Sequence, residues 1–155
     1  MDHGRCHRLI THSYGLTFLP RVVQYYGEAR QKVLDAGCGQ CAVVSYLTRL
    51  GRDAYGVEVS QAALDSQACP PLLEAGRVKQ GTLANVPFPD NYFDLVFSSD
   101  VLEHIPTFDM PNVVQELVRV SKGHLFLSIS LRRAGADPPP PAPATVHVTV
   151  KPREW

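Results

Sequence analysis

The residues best suited to chemistry lie in one stretch, Val33-Leu-Asp-Ala-Gly-Cys-Gly-Gln-Cys41, and in one acid beyond it, Glu58. Gly37 and Gly39 permit a tight turn and let backbone approach a ligand closely. A helix beginning just after such a turn offers unpaired N–H groups to an anion. Glu58 follows about 20 residues later, a spacing that sets an acid at the end of a second parallel strand beside the first turn, where it can accept from ribose hydroxyls. The combination describes a site for a nucleoside-containing cofactor. Two chemistries fit. Gly37, Gly39 and Ala42 formally satisfy the dinucleotide pattern G-x-G-x-x-A. Asp35 weighs against it, because a carboxylate there repels a pyrophosphate and suits a cofactor with a cationic centre or an ammonium group.

Such a turn must close a strand, and the chain supplies strands and helices in alternation. Residues 32–35 read as a short apolar strand. Val43, Val44, Leu47 and Leu50 recur at helical spacing over 42–50. Residues 53–59 form a second strand, and Ser60 is positioned as the N-cap of a helix that runs towards Cys69 and ends at Pro70 and Pro71. Residues 77–80 are a third strand, 93–98 a fourth and 125–131 a fifth. Val113, Val114, Leu117 and Val120 mark a helix over 111–120. Residues 16–30 predict one more helix packed on the body. This alternation specifies an α/β fold with a Rossmann-like, doubly wound, mostly parallel sheet. The run of prolines between Asp137 and Pro143 is extended, and it divides a domain over 1–134 from a linker and short tail over 135–155.

Three blocks, in order over roughly residues 32–131, resemble the class I S-adenosylmethionine-dependent methyltransferases, and in particular their small-molecule, type 11-like branch. They are Val33-Leu-Asp35-Ala-Gly37-Cys38-Gly39, then Gly56-Val-Glu58-Val59-Ser60, then residues 81–105, which include Phe93-Asp94-Leu-Val-Phe-Ser98-Ser99-Asp100-Val-Leu-Glu103-His104. The resemblance implies S-adenosylmethionine as cofactor and S-adenosylhomocysteine as product. It places Gly37, Cys38 and Gly39 under the methionine moiety and Asp35 near its ammonium group. It gives Glu58 the ribose hydroxyls and Val59 the adenine face. Leu83 would present its N–H to the adenine ring, and Ser98 and Ser99 would line the methionine end. Thr82 stands where the family often has an Asp, so it accepts without charge assistance. Cys41 stands where the family usually has a third glycine; the turn is expected not to need glycine there.

The implied reaction is in-line displacement of a methyl group onto a small-molecule acceptor. Holding the acceptor in line is worth up to about 7–11 kcal/mol, and a general base adds a further factor of about 10²–10⁴ only for acceptors that must lose a proton early. His104, after the fourth strand, is the candidate base. His12 and Tyr14 could lid the cofactor, and His147 could reach the acceptor, although the alternation around it also reads as a short edge strand. The family's sheet normally ends in two antiparallel strands. The sequence is expected to lack them and to leave the fifth strand as an open edge, inviting a homodimer or a partner chain. The alternative function is a degenerate, non-catalytic methyltransferase-like subunit that binds a partner.

Composition excludes little else. The chain has 155 residues, with 15 Lys+Arg against 15 Asp+Glu, so broad attraction to nucleic acid or anionic membrane is not expected. No apolar run reaches the roughly 18 residues of a membrane span, and the first ten residues lack the apolar core of an export signal. A cytoplasmic protein is expected, and with it no disulfide framework for Cys6, Cys38, Cys41 and Cys69. Cys38 and Cys41 form a C-x-x-C, but no further ligands at suitable spacing complete a zinc site, so no metal is expected.

Overall fold

The computed structural model describes residues 19, 20, 22, 31–129 and, as backbone, 146–150. Six strands form one sheet in the order β3-β2-β1-β4-β5-β6: β1 Lys32–Ala36, β2 Asp53–Glu58, β3 Val78–Gln80, β4 Phe93–Ser99, β5 Ser121–Ile129 and β6 Val146–Val150. The first five are parallel. Strand order reverses between β1 and β4, which makes the carboxyl end of β1 the switch point where ligands bind in open α/β sheets.

Strand residues alternate between two cores, as a sheet covered on both sides requires. Val33, Ala54, Leu95 and Phe97 pack with Val43, Val44 and Leu47 of helix α1 (Ala42–Arg49). Leu34, Val57, Val96, Leu125 and Leu127 pack with Val113, Leu117 and Val120 of helix α4 (Met110–Val120). Between them in sequence lie α2 (Gln61–Leu64), α3 (Pro70–Glu74) and a 3₁₀ turn, Leu102–His104. Phe88 and Phe93 are buried and, with half-buried Tyr92, form ring contacts around Tyr55, as core aromatics do.

Four expectations are corrected. The helix starting after Ser60 stops at Leu64, and although Ser60 Oγ accepts the Ala63 N–H as an N-cap should, the segment to Cys69 is not continuous helix. Pro70 and Pro71 begin a helix rather than end one, because in a first turn the missing N–H has no intrahelical partner to lose. The fifth strand is not an open edge: β6 pairs with it antiparallel, with Leu125 opposite Val150 and Ile129 opposite Val146. The alternation of the tail wins over the absence expected there. Finally, a disulfide joins Cys41 to Cys69, whose Cα atoms lie 5.4 Å apart; the loop after α2 brings together two residues that no sequence spacing pairs. Of the expected N-terminal helix, Leu19, Pro20 and Val22 are described; they are helical, and Leu19 and Val22 are buried in the α1-side core. The remainder of residues 16–30 and the 137–143 proline run lie outside the described residues.

Candidate cofactor site

β1 delivers Asp35 and β2 delivers Glu58 to the same side of the sheet. Asp35 is paired in register with Gly56, and Glu58 lies two residues further on, so the pleat points both carboxyls the same way. Gly56 is glycine for a reason of packing: a Cβ there would sit 2.7 Å from Cys38 Sγ and 3.0 Å from a Val44 methyl.

The turn after β1 is pinned to β2 by backbone. The Gly37 and Cys38 amides both donate to the Val57 carbonyl, at 2.9 and 3.0 Å. Gly37 has φ +85°, and a Cβ on it would come within 2.5 Å of a Val101 methyl. Gly39 differs: at φ +50° a Cβ would meet nothing within 4 Å. Glycine is needed at the first position by its neighbours, whereas at the second a side chain would fill only the cradle above the turn. Cys41 also takes a left-handed conformation, φ 61° and ψ 24°. The turn therefore does favour glycine there, and a non-glycine residue in this region costs on the order of 1–2 kcal/mol. Its tie to Cys69 holds it in place.

Glu58 is already engaged. One carboxylate oxygen accepts the Gly39 amide at 2.9 Å and the other accepts the Ser60 amide at 2.8 Å. A carboxylate oxygen has capacity beyond one bond, so both remain able to accept from hydroxyls. Beside it, Val59 is 62% exposed. The chain after β3 returns to the same place: the Gly81 amide donates to the Glu58 carbonyl at 3.0 Å, and Thr82, exposed, pairs with Asn85 in an isolated bridge. Leu83 turns its side chain into the α4-side core.

Asp35 is 6% exposed and, among the described residues, its carboxyl accepts no hydrogen bond. Burial, and secondarily the Glu58 charge, push its pKa up to about 7. A carboxyl so placed is a strong partner for a cation. The same burial, with the Asp35 and Glu58 charges, pushes the Cys38 thiol well above the usual range. Cys38 is thus a buried neutral thiol rather than a nucleophile or a thiolate ligand. Among the described residues no group of three or more His, Cys, Asp or Glu could hold a metal.

The remaining candidates fall into three groups. Ser98 is 1% exposed and its hydroxyl donates to the Ala36 carbonyl at 2.8 Å, so it ties β4 to β1. Ser99 is less buried and donates to Asp100, whose own amide reaches the Ser128 carbonyl. His104 is exposed at the end of the 3₁₀ turn, three residues beyond the Val101 that backs Gly37. His12 and Tyr14 lie outside the described residues, and of His147 only its register opposite Ser128 is described. Val101 and the Ser60 amide were not singled out from sequence, since a backbone amide and a packing valine carry no motif of their own.

With this geometry in view, comparison with known proteins is direct. The sequence profile described as a methyltransferase domain matches residues 34–127. The chain therefore belongs to the methyltransferase-domain family. It is 34% identical over 96 residues to a chloroplastic tocopherol O-methyltransferase of Arabidopsis thaliana, covering 59% of this chain and 27% of that protein. It is 32% identical over 112 residues to a ubiquinone biosynthesis O-methyltransferase of Pectobacterium atrosepticum, covering 68% and 45%. A protein of Arabidopsis thaliana named as a pectin methylesterase is 32% identical over 114 residues, covering 70% and 43%. The chain thus spans less than half the length of these curated relatives. Among solved structures, a TehB-like SAM-dependent methyltransferase of Corynebacterium glutamicum superposes with a TM-score of 0.63 at 18% identity, over 84% of this chain and 75% of that one. A SAM-dependent methyltransferase from Aquifex aeolicus gives 0.59 at 21%, over 90% and 79%. At these identities the likeness is one of fold: a Rossmann-like methyltransferase sheet.

Proposed function

We propose that this chain binds S-adenosylmethionine and transfers its methyl group to a small-molecule acceptor. The observation that carries the reading is the placement of two carboxyls on one side of the glycine turn, Asp35 buried and Glu58 tied to the Gly39 amide. The residues fit such a cofactor. Asp35 meets the ammonium group, the cradle over Gly39 admits the methionine backbone, Glu58 accepts from the ribose, and exposed Val59 takes the adenine face with Thr82 and Leu83 at the ring's edge. When bound, the cofactor supplies a methyl group on a sulfonium, taken by the acceptor through in-line displacement. Ser99, the last residue of β4, and Asp100 just after it would line the methyl end of that cofactor. His104 is proposed as the base for acceptors that must lose a proton. A pyrophosphate beside Asp35 would meet a buried carboxyl, which favours a sulfonium nucleoside over a dinucleotide.

The relatives named for tocopherol and ubiquinone methylation support a small organic acceptor and an oxygen as the acceptor atom. A cytoplasmic setting is part of the proposal. There the Cys41–Cys69 bond would be open to the reducing thiol pool; subcellular fractionation tests this point.

The experiment is calorimetric titration with S-adenosylhomocysteine and with a nicotinamide dinucleotide, followed by turnover against a panel of phenolic and quinol acceptors. Binding of the first alone, with methyl transfer, is expected. Binding without any transfer would favour the non-catalytic reading, for which Thr82 in place of an acid is the supporting observation. Binding of neither compound would end the cofactor assignment.

A further inference from the structure

The loop between β3 and β4 is held from outside the site by two residues that no motif picks out. Arg119, one residue before the end of α4, lies across the loop's return leg. Its guanidinium donates to the Val86 carbonyl at 2.9 Å and to the Phe88 carbonyl at 3.0 Å. It also donates to the Asp90 carboxylate at 2.6 Å and pairs side-on with Glu116 at 2.7 and 2.9 Å. Glu116 in turn accepts the Val86 amide at 2.9 Å, so the two side chains grip both polar groups of Val86. The Arg119 carbonyl accepts the Asn91 amide at 2.8 Å. A planar fork can satisfy five oxygens at once in this way; an ammonium, with three donors, cannot.

The loop's other end is the nucleoside side of the cofactor site. Gly81 is tied to the Glu58 carbonyl, and Pro87 packs so closely on it that a Cβ at Gly81 would fall 2.8 Å from the Pro87 ring. Between them Thr82 bridges Asn85. Displacing Val86–Phe88 therefore displaces Pro87, and with it the support of Gly81, Thr82 and Leu83.

We infer that Arg119 and Glu116 are positioning residues for the nucleoside end of the cofactor site, ordering the loop that sets Thr82 and the Leu83 amide beside Glu58 and so fixing adenine affinity and selectivity. The inference rests on the reading of Thr82 and Leu83 given under the proposed function. A loop held before binding needs no ordering on binding. When the clamp is cut, the loop must be ordered at the ligand's expense, and the hydrogen bonds that distinguish one purine edge from another lose their fixed geometry.

The test is titration calorimetry of the full chain, wild type and the variants Arg119→Lys, Arg119→Met and Glu116→Gln. The two ligands are S-adenosylhomocysteine and its deaminated analogue S-inosylhomocysteine, whose purine edge exchanges the amino donor for a carbonyl acceptor and the N1 acceptor for an N–H donor. Unfolded protein lowers the stoichiometry but leaves the Kd of the folded fraction intact. We expect the Kd for S-adenosylhomocysteine to weaken about tenfold in each variant, and the preference over the analogue to shrink with it. Loss of thermal stability with Kd and selectivity both unchanged would overturn the inference and leave a pair that only holds the fold. Should the Arg119 variants fail to fold, Glu116→Gln decides, since it keeps an acceptor for the Val86 amide and removes the charge facing Arg119. A wild-type chain that binds neither ligand would instead refute the cofactor reading, a separate outcome.

Discussion

Glu58 accepts the amide of Gly39 at 2.9 Å. The side chain proposed to hold the ribose therefore also fixes the turn proposed to hold the methionine moiety, and neither end of the site can shift without the other. Its second oxygen takes the Ser60 amide at 2.8 Å, where the chain enters α2.

Replacing Glu58 should thus act on stability as well as on binding. Glu58→Ala strips two amides of their acceptor, and a hydrogen bond to a charged group is worth about 1.5–3 kcal/mol. The Ser60 amide can turn to water, so a total loss of about 2 kcal/mol is expected in urea unfolding. Nucleoside affinity should fall at least as much. Glu58→Gln keeps one acceptor oxygen and should lie between. Unchanged affinity in both variants would remove Glu58 from the site.

The two turn glycines should separate folding from binding. Gly37→Ala meets both a left-handed backbone and the Val101 methyls, and a cost of about 2–4 kcal/mol is expected from strain and overpacking together. Adding Val101→Ala should recover the packing share and leave the backbone share. Gly39→Ala has open space around it, so only the backbone share of about 1 kcal/mol should appear in unfolding, while S-adenosylhomocysteine binding should drop steeply. Normal binding by Gly39→Ala would show that nothing passes over the turn.

Asp35 carries a pH signature. Its pKa is pushed up to about 7 by burial and then by Glu58, above the ordinary carboxyl value an unfolded chain would show. The folded protein therefore holds a proton that the unfolded chain gives up. This contribution to stability is full at low pH and is lost as pH rises towards 7. Binding of an ammonium group has the opposite sense: it needs the ionised carboxylate, so affinity should rise from pH 5.5 and level off above about 7. Both trends should vanish in Asp35→Asn. An affinity independent of pH in the wild type would show that no cation meets this carboxyl.

The Cys41–Cys69 bond spans 28 residues of sequence, for which chain-entropy arguments give a stabilisation of about 3–4 kcal/mol. A dithiol reductant should lower the urea midpoint of the wild type towards that of a Cys41→Ser, Cys69→Ser double variant and leave the variant unmoved. A wild-type midpoint indifferent to reductant would show the thiols to be unbonded in solution.

The elements that sequence discloses here are those specified by local pattern. The strands ending at Ala36 and Glu58 have apolar runs closed by glycine or by a cap, and α4 has its Val113–Leu117–Val120 face. Glycine spacing and Glu58 point to the candidate site for the same reason: they are separated by one β-α-β unit whose geometry is nearly fixed. What escapes is fixed by contact through space. Cys69 meets Cys41 across the chain that follows α2, 28 residues further on, and the left-handed conformation at Cys41 belongs to a turn that carries a cysteine where its backbone favours glycine. Arg119 reads as the charged face of a helix until the loop from β3 comes to lie on it. Pro70 is a breaker in one context and a first-turn residue in another, and only the chain before it decides.

Val59 offers a last consequence. An aliphatic side chain exposed beside a charged one keeps its apolar surface in contact with water. A purine laid over it would release that solvent, so the heat of association should become more exothermic as the sample is warmed. Val59→Ser should flatten that slope while leaving the carboxylate beside it in place.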